Sequence, residues 1–130
     1  WGDVIKNGFV VIPTELLRNQ KKLGLDSGEL IVLLQLLMSW WEVEKLPYLQ
    51  TSTIASRTGY SRRTVQRHIE ALENKGFLKR IWGKTRSNNE RAGASYDLRD
   101  TVARVNAVAS VMDVAATNKT ELIHWQIHND

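Results

Sequence analysis

The sequence predicts a mainly helical domain of the α+β class that carries one small β-hairpin. The chain has 130 residues, of which 42% are hydrophobic and 25% charged, as expected of a single globular domain. Apolar residues recur at helical spacing through much of the chain. Two strand-like runs, residues 77–82 and 94–98, flank a polar loop and give the predicted hairpin. We therefore expect one hydrophobic core built from helices, with the hairpin beside it.

The N-terminal residues predict an extended segment and a short helix. Residues 8–12 read GFVVI, a β-branched run that Pro13 stops, and we interpret them as an edge strand or an extended arm. Pro13 suits the first turn of a short amphipathic helix, and Gly24 ends that helix.

A strongly apolar helix is expected over residues 29–44. Asp26 and Glu29 have the spacing of a capping box at its start. Gln35, Ser39 and Glu42 mark one narrow polar stripe. Because the remaining circumference is apolar, this segment is either the central core helix or partly an oligomer interface.

A short helix that ends at a glycine turn is predicted next. Pro47 marks an extended connection, after which Thr51 or Ser52 can cap a helix that runs through Arg57. Gly59 breaks that helix and allows a tight turn.

The next helix, about residues 62–75, has the clearest pattern in the chain. Ser61 caps its start, and Gly76 supplies a left-handed stop. Val65, Ile69 and Leu72 recur on one face, which we expect to point into the core.

A last helix is expected from about residue 98 to 116, so residues 1–116 form the predicted domain. The tail, residues 117–130, alternates Ile123, Trp125 and Ile127 with polar residues. This alternation predicts a strand or the start of a truncated segment.

The order of helix, glycine turn, helix and hairpin is that of a winged helix-turn-helix domain. The stretch SRRTVQRHIEALENKGFLKRI resembles the winged helix-turn-helix modules of bacterial transcriptional regulators and of plasmid and phage replication proteins. The resemblance covers about residues 46–98, and it implies that the second helix enters the DNA major groove and that residues 83–93 form the wing. His68 stands where the older, non-winged pattern prefers an apolar residue, and Ile69 fills that role in the winged version.

The outward face of the second helix predicts which side chains contact DNA. With the apolar face turned inward, Arg63, Arg67, Glu70 and Asn74 point outward, and Gln66 lies at their flank. An arginine fork matches guanine and a glutamine amide matches adenine, so the predicted base contacts are Arg63, Gln66 and Arg67. Hydroxyl and basic residues near helix N-termini and in the wing are the predicted backbone contacts: Thr53, Ser61, Arg62, Thr64, Lys84, Arg86 and Arg91.

Charge is unevenly distributed and favours the same surface. Residues 57–91 hold ten Lys or Arg and three Glu, a net charge of +7, whereas the remaining residues hold eight basic and eleven acidic side chains, a net charge of −3. A basic block that coincides with the second helix and the hairpin is what phosphate neutralisation requires.

Two alternatives stand beside this prediction of double-stranded DNA binding. An arginine-rich helix face can simply be solvated, and the winged fold also occurs in protein-interaction modules. If the chain binds DNA, it either regulates transcription by occupying an operator or serves a plasmid or phage replication or maintenance protein.

The last helix predicts a homodimer. A regular spacing places Leu98, Val102, Val105, Ala109 and Met112 on one seam, and further valines lie off that seam, so more than one face is apolar. The alternative is that this helix packs on the first helix of the same chain.

Other functions have little support in the sequence. Cysteine is absent, which excludes disulfides and thiolate metal sites and fits a cytoplasmic location. No nucleophile–base pair, P-loop or paired-carboxylate site is recognisable, so we expect no enzyme activity and no cofactor. His124 and His128 lack the glutamate of a zinc-binding motif. We expect no membrane span, because the longest apolar run is too short. The chain begins at Trp1 without a charged n-region or a small-residue cleavage site, so we expect that a signal peptide is absent or already removed and that the chain is trimmed from something longer.

Overall fold

Six α-helices and three short strands make up the residues that the structure, a computed structural model, describes: 1–82 and 94–111. A 3-10 helix, Gly2–Asn7, precedes them. The helices are α1 (Thr14–Arg18), α2 (Gln20–Leu23), α3 (Ser27–Met38), α4 (Thr51–Thr58), α5 (Arg62–Asn74) and α6 (Arg99–Val111). The strands are β1 (Tyr48–Leu49), β2 (Lys79–Trp82) and β3 (Ala94–Asp97). The predicted mainly helical class with a small β-hairpin is confirmed.

The three strands form one antiparallel sheet in the order β1-β3-β2. The predicted hairpin is β2 and β3, with Lys79 opposite Asp97. The sequence does not predict β1, which lies in the predicted extended connection and pairs Tyr48 with Ser95. Its two residues are too few to show a pattern, and their partners are 47 and 45 positions away. The predicted wing lies between β2 and β3 and outside the described residues.

One core joins the helices to the sheet, with α3 and α5 packed against each other at its centre. Val32, Leu33 and Leu36 of α3 are fully buried. From the other elements the core takes Ile54, Val65, Ile69, Leu72, Phe77 and Leu78. Burial of each such side chain stabilises the fold by about 1.5–3 kcal/mol. The predicted role of α3 as the central core helix follows from this packing.

The N-terminal segment differs from the prediction in two ways. Residues 8–12 form no strand in the described part of the chain, and Phe9 and Val11 are exposed, because no other strand lies alongside to complete a ladder. The predicted single helix is divided at Asn19, whose side-chain amide donates to the Glu15 carbonyl (2.9 Å). Pro13 precedes α1 as its N-cap residue and is not in its first turn.

The central helix is shorter than predicted. It begins as expected, since Asp26 Oδ1 accepts from the Glu29 amide (2.7 Å) and Glu29 Oε1 accepts from the Asp26 amide (2.9 Å). It ends at Met38, before Trp40, because the last bonds tighten to three-residue spacing, with the Ser39 amide on the Leu36 carbonyl (3.1 Å). No glycine or proline marks this end, so the helix carries no local stop signal from which its end could be predicted.

Helix α6 packs on α1 and α2 of the same chain, which is the alternative stated for the last helix. Leu98 and Val105 are buried in the core, whereas Val102 is 47% exposed. Ala109 is half-buried, and Met112 lies outside the described residues. The five predicted seam positions therefore do not form one exposed face. The inward side of α6 is instead centred on Thr101 and Val105, because the packing of α6 on α1 and α2 decides which face is covered.

The start of α6 carries a carboxylate that makes stability depend on pH. Asp97 is 8% exposed, and its oxygens accept from the Arg99 guanidinium and from the Arg99 amide (3.1 Å). The hydrogen bond from the Arg99 side chain lowers the pKa of Asp97 from 3.8 to about 2. A lowered folded-state pKa stabilises the fold above the unfolded-state pKa, and this stabilisation is lost as the pH falls through the folded-state value.

We expect Asp97→Asn to lower the free energy of unfolding by about 1–2 kcal/mol near neutral pH. This is less than the full pKa shift would correspond to, because the Arg99 guanidinium is exposed and solvent screens the ion pair. The difference from wild type should shrink between about pH 4 and pH 2, because the wild-type carboxylate is protonated there. Urea unfolding across this range measures it. A difference that does not vary with pH would show that the ion pair is not its cause.

Candidate nucleic-acid interface

The turn between α4 and α5 forms as the sequence predicts. Gly59 ends α4 in the left-handed region, at φ 81°, where a side chain would be strained. Thr58 Oγ1 donates to the Ile54 carbonyl (2.8 Å) and accepts from the Tyr60 amide (3.3 Å). These bonds fix the direction in which the chain enters α5.

The start of α4 differs from the prediction. The helix begins at Thr51, and Gln50 occupies the N-cap position without a side-chain cap hydrogen bond. The Ser52 hydroxyl instead donates to Gln50 Oε1 (3.3 Å). The hydroxyls of Thr51 and Ser52 are therefore not caps.

Ser61 caps α5 as predicted. Its Oγ accepts from the Thr64 amide (3.1 Å) and donates to Thr64 Oγ1 (2.9 Å). Both hydroxyls thus help to hold the first turn of α5 in place, and they lie beside Arg62 at the same helix end.

Helix α5 separates an apolar face from a charged one. Val65, Ile69 and Leu72 are at most 1% exposed, which confirms the predicted core face. The opposite face is exposed to solvent at Arg62, Arg63, Gln66, Arg67, Glu70 and Asn74. The three predicted base-contact residues therefore lie together on one accessible surface.

The arginines of this surface differ from most other cations of the chain. Within residues 1–82 and 94–111, seven of the eleven other lysines and arginines, Lys75 and Arg80 among them, are paired with carboxylates, whereas Lys21, Lys22, Arg57 and Arg104 are not. Over the same residues, Arg62, Arg63 and Arg67 form no ion pair, and neither does Arg57 at the end of α4. We call Arg62, Arg63 and Arg67 the arginine face. Their positive charge is available to an anionic partner.

An ion pair fixes α5 against the strand that leads to the predicted wing. Glu73 Oε1 accepts from the Arg80 guanidinium (2.8 and 3.2 Å), and Glu73 Oε2 accepts from the Arg80 amide (3.1 Å). The Arg80 side chain holds the pKa of Glu73 below its usual value, and Glu73 in turn raises the pKa of Arg80. The pair therefore sets the position of α5 relative to β2.

A second ion pair fixes the end of α5 against the start of α3. Lys75 Nζ donates to both carboxylate oxygens of Glu29 (2.6 and 2.9 Å) and to the Gly24 carbonyl (2.7 Å). Glu29 is 3% exposed and is also part of the capping box of α3. Lys75 thus joins the end of α5 to α3 through Glu29 and to the residue that ends α2 through the Gly24 carbonyl.

His68 is a packing residue between α5 and α3. Its ring lies 5.5 Å from that of Tyr60, measured between centroids, and rests on the backbone of Gly28. A Cβ atom at Gly28 would lie 2.3 Å from His68 Nε2. The close approach of α3 and α5 therefore requires glycine at residue 28.

The structure brings together most of the predicted contact residues. Ser61 and Thr64 lie with the arginine face at the start of α5, and Thr53 is half-buried in the first turn of α4. Lys84, Arg86 and Arg91 lie outside the described residues. The sequence does not predict the two ion pairs that position α5, Glu73 with Arg80 and Glu29 with Lys75. For Glu73 and Arg80 the sequence offers only a spacing of seven, which is typical of many unpaired residues.

Comparison with known proteins supports the fold. Residues 23–78 match a family model described as a helix-turn-helix domain. A comparison with curated proteins finds no significant match. The chain is similar to the crystal structure of the N-terminal domain of DnaD protein from Geobacillus kaustophilus HTA426, with a TM-score of 0.62 and 22% identity over 90% of this chain and 93% of that one.

Two more distant solved structures were also found. Disulfide-formed AbfR has a TM-score of 0.45 and 18% identity over 88% of this chain and 75% of that one. The transcriptional regulator PA3341 has a TM-score of 0.42 and 19% identity over 87% of this chain and 84% of that one. The element order, the sheet and the family match together define the fold as a winged helix-turn-helix.

The described residues offer no evidence for other kinds of site. Over 1–82 and 94–111, His, Asp and Glu residues form no group of three that could hold a metal ion. Among the helices in these ranges, none is long and apolar enough to cross a bilayer.

Proposed function

We propose that the chain binds double-stranded DNA in a sequence-specific manner, with α5 in the major groove. The observation that carries this proposal is the arginine face, which is exposed and free of ion pairs among the described residues while the opposite face of α5 is buried. An α-helix fits the major groove, and cations without carboxylate partners can replace the counterions of phosphates.

The proposal divides the contact residues into two groups. Arg63, Gln66 and Arg67 read base edges, since they project from two successive turns of α5. The residues that position the chain on the backbone are Thr53, Ser61, Arg62 and Thr64, together with Lys84, Arg86 and Arg91 of the predicted wing. The second group adds affinity but no sequence preference.

Selection of bound duplexes from a random pool tests the proposal. We expect one enriched sequence, bound about 1,000-fold or more tightly than random duplex at physiological salt. Affinity should fall steeply with salt, because binding releases counterions. Failure to enrich or bind any duplex would contradict the proposal and favour a protein-interaction module.

We propose regulation of transcription, through occupation of an operator, as the use of this binding. The alternative is a DNA-binding module of a plasmid or phage replication or maintenance protein. The position of the selected sites separates the two: sites upstream of the chain's own gene favour the first, and repeats at a replication origin favour the second. Either use places the chain with the DNA, in agreement with the cytoplasmic location that the sequence predicts.

We also propose that the chain acts as a homodimer, through a smaller surface than the predicted seam. Leu98 and Val105 are occupied by the core, so Val102 and the half-buried Ala109 are the seam residues within the described ranges that remain for a partner. A dimer would require half-sites about 34–36 Å apart or a multiple of this distance. Sedimentation that shows only monomer at a concentration well above cellular levels would contradict the dimer.

A further inference from the structure

The exposed face of α5 carries an acidic residue in line with its arginines. Arg63, Arg67 and Glu70 are spaced by four and three residues, which places them on one stripe of the helix, and all three are exposed. The helix rises about 4.5 Å from Arg67 to Glu70, close to the ~3.4 Å between successive bases of a strand. On the surface that we propose faces DNA, a helix that runs along the groove would therefore place Glu70 one to two base steps from Arg67.

The Glu70 carboxylate has no hydrogen-bonded or ion-paired partner among the described residues. Within residues 1–82 and 94–111 it forms no hydrogen bond and no ion pair, even though Arg67 lies one turn away. Glu70 is within electrostatic reach of Arg80, and it is Glu73, one turn further on, that accepts hydrogen bonds from Arg80. The two acidic residues of α5 thus differ: Glu73 holds the helix in place, and Glu70 does not.

A carboxylate on this surface has few acceptable partners in DNA. It accepts hydrogen bonds only, and phosphates repel it. In the major groove, the amino groups at cytosine N4 and adenine N6 donate hydrogen bonds. The adenine amino group lies beside the N7 acceptor, and a carboxylate that approaches adenine is repelled by that acceptor. Cytosine is therefore the base that fits Glu70.

We infer that Glu70 is a specificity-determining residue, which accepts a hydrogen bond from the N4 amino group of a cytosine next to the bases contacted by Arg67. This inference rests on the proposed DNA binding. A cytosine satisfies the carboxylate. Guanine or thymine at that position leaves it desolvated and unpaired, adenine sets its N7 acceptor against it, and the phosphates of any duplex repel it. Glu70 thus weakens binding to the wrong sequence more than it strengthens binding to the right one.

Random-duplex selection with the full chain and three variants tests this inference. Glu70→Ala should lose the cytosine preference at one position while the rest of the selected site stays the same, and it should bind random duplex several-fold more tightly. Glu70→Gln should accept adenine at that position, because an amide both donates and accepts. Glu44→Ala is the matched control, since it removes one exposed charge from the turn that follows α3 and should leave the site unchanged.

The outcomes separate this inference from the proposed function. If wild type selects a site and Glu70→Ala selects the same site with the same base preferences, Glu70 does not read DNA although the chain binds it. If Glu70→Ala alters several positions and also lowers the melting temperature, Glu70 acts on the fold through Arg80 and the inference is wrong. If wild type selects no site at all, the proposed function and the inference both fail.

Discussion

Arg63→Ala and Arg67→Ala are each expected to lower the affinity for the selected duplex about 10- to 100-fold. A bidentate arginine–guanine contact discriminates by about 1–3 kcal/mol, and alanine removes the whole fork. Both residues are exposed and make no ion pair within the described ranges, so their loss should leave the fold intact. Titration of the selected and random duplexes at one salt concentration measures the change, and thermal unfolding checks the fold.

Matched variants distinguish base reading from charge. Lys21→Ala removes an exposed charge from α2 and should change neither affinity nor preference. Lys84→Ala and Arg86→Ala, in the predicted wing, should weaken binding to selected and random duplexes equally and reduce the salt slope by about 1. If the α5 variants behave like the wing variants, Arg63 and Arg67 contact phosphates and not bases.

Gly28→Ala is expected to destabilise the fold by about 1–3 kcal/mol, although alanine is normally the better helix residue. The new Cβ would lie 2.3 Å from His68 Nε2, and the His68 ring is already in contact with Tyr60. The ring or the whole of α5 must move away from α3. Urea unfolding measures the loss, and DNA titration shows whether the recognition surface moves with it.

A double-mutant cycle identifies the cause of this effect. With His68→Ala in the background, Gly28→Ala should become neutral or stabilising, because the side chain that it meets is gone. Ser27→Ala, at the neighbouring exposed position of α3, is the control for helix propensity. Equal destabilisation by Gly28→Ala in both backgrounds would show that contact with His68 is not the reason for glycine.

Local signals predicted the region from α4 to β2 well. Ser61 caps α5, Gly59 ends α4, and Val65 and Ile69 face the core, all as the sequence indicates. Each of these features depends on residues within a few positions of one another. The exposed residues of α5 follow from the same helical periodicity that turns Val65 and Ile69 inward. The sequence could therefore predict which side chains make up the candidate surface.

Features that depend on distant partners could not be predicted. Residues 8–12 have the composition of a strand but no neighbouring strand within the described ranges, whereas the two-residue β1 exists because β3 lies beside it. The contact of His68 with Gly28 joins residues 40 positions apart, and neither residue type indicates it alone. Packing on α1 and α2 determines which face of α6 is buried. The seam predicted from spacing alone therefore combines core residues with exposed ones.

Guanine analogues in the selected duplex test the central claim most directly, namely that Arg63 and Arg67 read base edges. Replacing one guanine of the site at a time by 7-deazaguanine removes the N7 acceptor and leaves the phosphates and base pairing unchanged. We expect wild type to lose about tenfold in affinity at the critical guanines, and Arg63→Ala or Arg67→Ala to be insensitive at the guanine that each arginine contacts. Equal losses in wild type and variants, or no loss in wild type, would contradict the claim.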